Sequence, residues 1–423
     1  SMNETPEYNP RALVASSPKA LAIANRQLRI AEQALARIEQ EWYIEFFATH
    51  PEASRAFVLA VSQYYPLSES LIEDYLSKWN WQCLSANTSL AWTDAFLKRY
   101  DLLWEWRSLS SNNSLPWSDK LLAQYAANWN WQCLSYNDSL PWSEALVGLY
   151  VRKWDWARLS WNESIPWTAE LLARFAQYLV WDRLSFVKAL PWSETLIADY
   201  ADLWDWAALS LNDGIPWTES LIERYAERWS WQDISLNESL PWSESLLEKY
   251  DKHWDWRCLS NNKGLPWSKT LIDQNSARID WSELSWNEGL PWSEEFIYRY
   301  ARLWDWRFLS FNSALPWTEA LIDRHFDRWD WGRISAVETL PWSDALIEKY
   351  AECWMWKMSS DHGKMIFRDH HNGLSGNRAV PWSESLIKRY ADRWDWRFLP
   401  TIGLPAVLSK WSDASIRAVM DRM

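Results

Sequence analysis

The sequence predicts an all-α solenoid of about thirteen tandem two-helix units, and two observations carry that prediction. A Pro-Trp pair or its equivalent recurs every 25 residues, so that Trp92, Trp117, Trp142, Trp167, Trp192, Trp217, Trp242, Trp267, Trp292, Trp317 and Trp342 follow one another without insertion or deletion. Between successive pairs stand two more tryptophans one residue apart, as in Trp104/Trp106 and Trp304/Trp306. Of the chain's 40 tryptophans, all but Trp42, Trp161, Trp286 and Trp411 fall into these three columns. Strict periodicity of this kind marks stacked units that share one continuous core.

The unit from Pro241 to Leu265 shows how each element arises. Ser243 follows Pro-Trp, where a hydroxyl accepts from an orphan amide of a helical first turn. An acid comes next in most units, as at Glu244, where the helix dipole favours negative charge. Leu246, Leu247, Tyr250 and Trp254 recur at helical spacing and form one apolar face. The pattern predicts a helix A of about eleven residues, from Glu244 to Trp254. The residue between the paired tryptophans, Asp255 here and Asn80, Asp155, Asp205, Ser230 or Asp305 elsewhere, is a second cap. It starts a short helix B through Leu259-Ser260. Asn262 and the following Leu-Pro end that helix, because proline cannot continue it and biases the preceding residue to extended backbone.

The repeat spans residues 66–398. Residues 1–65 read as an N-terminal helical cap, with one helix from Ala20 to about Phe47 and another from Pro51 to Tyr65. Residues 399–423 read as the cap of the opposite end, with Ser412 starting a helix that ends near Arg422. At ~8–10 Å per packed layer, thirteen layers make an elongated body of roughly 100–120 Å along its contour. Two interior units break pattern: Leu179-Val180 replaces Trp-Asp, and Ile279 and Asn275 replace Trp and Tyr. Aligning Leu374-Ser375-Gly376-Asn377 with the usual Leu-Ser-x-Asn places an insertion at about residues 358–373.

Composition narrows the function. A hydrophobic share of 48% supports a folded core rather than disorder. The net charge of −13 disfavours nucleic acid, whose binding rests on phosphate neutralisation, and leaves protein or peptide as the expected partner. No stretch reaches membrane-span length, and the N-terminus lacks a signal pattern, so no membrane association is expected. Cys83, Cys133 and Cys258 share a repeat column too widely spaced for disulfides, which suits a reduced, cytoplasmic protein. Nine glycines and no recognisable nucleotide or nucleophile motif argue against an enzyme.

Three constellations remain. The column between the constant Ser and Asn ranges from Gly376 to Trp161, a volume range that a packed position does not tolerate. Its aromatic members Tyr136, Trp161, Phe186, Trp286 and Phe311 are the expected partner-binding residues of a non-catalytic scaffold. A basic stripe along helix A (Arg99, Arg174, Arg224, Lys249, Arg299, Arg324, Lys349, Arg389) is the alternative, a track for nucleic acid, against which stands pairing with acids of the neighbouring unit. The insertion carries His362, Asp369, His370 and His371, a third candidate as a divalent-metal or catalytic site. Their spacing matches no specific metal signature, so no cofactor is expected.

Overall fold

The computed structural model describes residues 17–357 and 373–423. Among them the chain is all-α, with helix pairs repeating at the 25-residue period. In every unit the Ser or Thr after the Pro-Trp position caps helix A, as Ser243 does by accepting from Leu246 N at 3.0 Å. The residue between the paired tryptophans caps helix B, as Asp205 does for Ala208 N. Val180 is an exception and offers no side-chain cap.

Helix A is shorter than its apolar pattern suggests. It spans six residues, Glu244–Lys249 in the reference unit, and stops at Tyr250 with φ −115°. The break goes with the first tryptophan of the pair, by its ring as well as its N–H, since the helices Asp119–Gln124 and Glu384–Arg389 stop at the same place although the Trp129 and Trp394 indoles bond nothing. In a continuous helix Leu97 O would accept from Asp101 N. Instead Asp101 N turns to Lys98 O, and the Trp104 indole donates to Leu97 O at 2.9 Å. The same indole bond closes the unit at Trp154, Trp204, Trp229, Trp254, Trp304, Trp329 and Trp354. Where Leu179 or Ile279 stands in that column, no indole ring fills the turn. There helix A gains a residue (Ala169–Phe175 and Lys269–Asn275), and Ala176 and Ser276 hold regular helical angles.

The other two columns work alike. The Pro-Trp indole donates to the Asn-column carbonyl five residues back, as Trp217 does to Asn212 O at 2.9 Å. The second of the paired tryptophans donates to the carbonyl after the tyrosine, as Trp206 does to Ala201 O. In most units each column therefore satisfies a backbone acceptor that the tight turns leave open, with Trp129, Trp256 and Trp394 as exceptions. The rings also interlock between units: Trp206 meets Trp229 of the next unit at 4.9 Å, and Trp217 meets Trp229 at 4.8 Å.

Two polar ladders join neighbouring units beneath these rings. Each constant Ser accepts from the next unit's cap amide, and all but Ser160 also bond their own helix B, as Ser210 does while accepting from Ser230 N at 3.0 Å. Asn237 Nδ2 reaches back to Ser210 O and Asn212 O while its Oδ1 holds Ser239 N. At Val187 the ladder is mended from outside: the Glu163 carboxylate accepts from Lys188 N and Ala189 N at 2.9 and 2.8 Å. The frame also survives the insertion. Asn377 bonds Ser335 O and Val337 O, and Gly373, at φ +60°, rejoins the chain where a Cβ would lie 2.4 Å from Met355 O.

The two ends do not lie apart, contrary to the elongated body expected above. The helix Pro51–Tyr64 supplies Ser62, which accepts from Asn80 N and whose carbonyl accepts from Asn87, as each repeat's Ser does for the next. The C-terminal helix Asp413–Arg422 supplies Asp421, which accepts from Tyr75, just as Glu73 accepts from Tyr100 and Asp273 from Tyr300. Lys78 reaches Met420 O in the way Arg228 reaches Ala201 O. The first unit thus stacks on a layer whose helix B comes from the N-terminus and whose helix A comes from the C-terminus. Tyr43 donates to Glu384 O, and Trp411 donates to Glu384 Oε1 at 2.7 Å, tying that layer to the last unit. The solenoid is a closed ring. About fourteen layers at ~8–10 Å each give a mean diameter of roughly 40 Å.

The reason lies in unequal spacing. Helix B segments such as Trp206–Leu211, Trp231–Leu236 and Trp256–Asn261 pack directly on one another. Helices A are bridged by ion pairs between long side chains, such as Arg99 to Glu69. The tighter layer takes the inside of the curve, and an array that curves evenly brings its ends together.

Candidate functional site

Helix B lies on the inner side of the ring and packs helix A behind it, so its open face looks into the ring. The variable column occupies that face. Tyr136 is 54% exposed and Trp161 42%, and Phe186 and Leu211 continue the exposed run through four successive units. The Trp161 and Phe186 rings lie 6.1 Å apart, and the Arg183 guanidinium sits 5.1 Å over Trp161. Tyr136, Asp155, Ala157, Arg158, Trp161 and Arg183 line a depression of about 400 Å³. Arg158 is ion-paired with Asp155 at 3.6 Å.

Trp286 and Phe311 stand on the same column but are half-buried. Trp286 stacks on Phe308 at 6.1 Å and meets Phe311 at 6.0 Å, so this part of the column is filled by its own neighbours. The five aromatic candidates therefore divide into an open group (Tyr136, Trp161, Phe186) and a packed one. Helix B's third position, the column of Cys83, Cys133 and Cys258, contributes Arg158, Arg183 and Phe308 to these surroundings and was not among the binding positions expected from the sequence. Its residue types vary as widely as the chosen column's, which is the signal that would have found it.

The basic stripe is neutralised from unit to unit. Arg99, Arg174, Arg224 and Arg324 pair with Glu69, Glu144, Glu194 and Glu294 of the preceding units. Lys249 pairs with Glu223, Arg299 with Asp273, Lys349 with Glu319 and Asp323, and Arg389 with Glu348. A neighbouring basic column is engaged too: Arg228, Arg278 and Arg328 cover the rings of Trp206, Trp256 and Trp306. These contacts match the pairing expected between acidic and basic ridges.

His362, Asp369, His370 and His371 lie outside the described residues. Among the described residues there is no cluster of three His, Cys, Asp or Glu side chains placed to hold a metal. Among them, too, no helix is long and apolar enough to cross a membrane.

Tyr65 and Tyr75 are functional in a sense the sequence did not reveal, because they close the ring. Tyr65 donates to Trp411 O and to Asp413 at 2.9 Å. Burial, and after it the hydrogen-bonded Asp413 carboxylate, pushes the Tyr65 phenol up to about 12. Burial followed by the bond to Asp421 raises Tyr75 as well. Both phenols therefore stay protonated and donate at neutral pH. Comparison with protein-family models, with curated proteins and with solved structures finds no match for this chain.

Proposed function

We propose that the protein is a non-catalytic scaffold that holds a protein or peptide segment on the inner face of its ring, at Tyr136, Trp161, Phe186 and Leu211. One observation carries the reading. The column tryptophans typically commit their indole N–H groups to backbone carbonyls, whereas Trp161 is exposed beside other exposed apolar side chains and bonds none. Rings and free donors together on a rigid support are what binding hot spots use. Arg158 and Arg183 beside the rings suit a segment that carries acidic residues next to apolar ones. The cysteines, all free, suit a reducing compartment such as the cytoplasm.

A nucleic-acid track is the less favoured reading, because each stripe residue already has an acidic partner and the net charge is −13. Selection from a random peptide library separates the two. The scaffold reading expects apolar-acidic peptides whose affinity falls at least tenfold in Tyr136→Ser/Trp161→Ser, with an unchanged circular dichroism spectrum. It expects little change between low and moderate salt. Equal affinity in the variant, or a steep salt dependence with single-stranded DNA as the better ligand, contradicts it.

A further inference from the structure

The helix Pro18–Thr49 is 32 residues long, about 48 Å at 1.5 Å per residue, yet only its last third is part of the ring. Tyr43 and Phe47 are buried there, Gln40 accepts from Ser415, and Arg422 pairs with Glu45. Residues 18–31 are exposed throughout. Leu21, Leu28 and Ile38 are 55%, 59% and 60% exposed, and Ile23 and Ile30 are open as well. A projecting helix of this kind gains little from propensity alone, and large apolar side chains along it mark a surface that is covered in use.

The sequence says what covers it. Leu21, Leu28, Leu35 and Trp42 follow at intervals of seven, with Ala24, Ala31 and Ile38 three residues after the first three of them. This is a heptad seam. It runs out at Trp42, which stacks on Phe46 and lies under Lys388 of the last unit. Charge then favours one direction, over the length of the helix rather than across the seam, since Lys19, Arg26 and Arg29 fall on outer heptad positions. The outer part carries Lys19, Arg26 and Arg29 without an acid, while the part nearer the ring carries Glu32, Glu39, Glu41 and Glu45 against a single Arg37. A parallel pair would set like charge beside like; an antiparallel pair sets the basic half of each helix along the acidic half of the other and opposes the helix dipoles.

We propose that two copies of this chain associate through an antiparallel pair of these projecting helices, with the two-fold axis between Arg29 and Ile30. In that register the sequence sets Leu21 opposite Ile38, Ala24 opposite Leu35, and Leu28 opposite Ala31. Large and small residues alternate across two of the three layers, and the pairing is self-complementary, as a closed two-fold dimer requires. The dimer holds two rings at opposite ends of one short bar, so each binding face is presented twice.

Sedimentation equilibrium of the full chain tests this. The wild type is expected at twice its 50.4 kDa mass. Leu28→Glu is expected to raise the dissociation constant at least a hundredfold with unchanged helical content. Orientation is read by a spin label at Lys19→Cys, with Cys83, Cys133, Cys258 and Cys353 replaced by alanine. The antiparallel register puts the paired labels about 30 Å apart, whereas a parallel pair puts them at roughly 10 Å. A monomeric wild type, a dimer that survives both Leu28→Glu and Leu21→Glu, or the shorter distance overturns the proposal. A fold-back of the preceding residues or a foreign partner would give the monomer.

Discussion

Most column tryptophans in this chain fill the space between units with the ring and complete the backbone with the N–H; Trp129, Trp256 and Trp394 supply the ring alone. Phenylalanine could supply the first but not the second, so the N–H bond favours tryptophan wherever it is made. Trp204→Phe keeps a ring beside Trp181 and Trp192 but leaves Ile197 O without its donor. The expected loss is about 1–2 kcal/mol, read from urea unfolding midpoints. Trp161→Phe removes no such bond and is expected to stay within ~0.5 kcal/mol of the wild type. Equal losses at the two sites would show that ring volume alone explains the columns. The helix and cap residues were legible in the sequence because capping is local. The early end of helix A was not, because apolar spacing reports which face is buried, and the carbonyl that Trp104 takes from Asp101 leaves that spacing unchanged.

At the level of the unit, stability comes from ladders that cross between neighbours, and their gaps show how substitution is tolerated. Glu163 accepts Ala189 N, the amide left by Val187, together with Lys188 N, a compensation made one unit away. Glu238 stands in the same column ahead of a unit that keeps Asn262. Glu163→Ala is therefore expected to cost about 1–2 kcal/mol, while Glu238→Ala should be nearly neutral in the same melts. Similar costs for both would mean that Glu163 is an ordinary surface carboxylate. The constant Ser and Asn were readable as turn residues from sequence, but their reach into the preceding unit depends on stacking distance. The variable column was readable as a surface because its volume range conflicts with packing; that Trp286 is filled in while Trp161 is open depends on Phe308, a neighbour the periodic pattern does not single out.

For the whole molecule, curvature decides everything that the unit does not. Similar joints, with helices B closer than helices A as from Trp206–Leu211 to Trp256–Asn261, accumulate into a circle, and no residue within one unit announces that sum. The closing layer was hidden for a further reason. Its helix B, Pro51–Tyr64, and its helix A, Asp413–Arg422, lie at opposite ends of the chain, and each alone reads as a terminal cap. Only their contacts, Asn80 N to Ser62 and Tyr75 to Asp421, show that they repeat the internal joint. A closed ring makes the inner face a bounded surface of set diameter, which gives the open run from Tyr136 to Leu211 a rigid setting. Closure is therefore the central claim, and the distance between the two ends tests it most directly. Spin labels at Ser77→Cys and Met423→Cys, on a background without the native cysteines, are read by pulsed dipolar spectroscopy. The ring predicts one narrow population within about two layer spacings, ~20 Å. A broad distribution or a separation approaching the ~100 Å contour of an open array would contradict it.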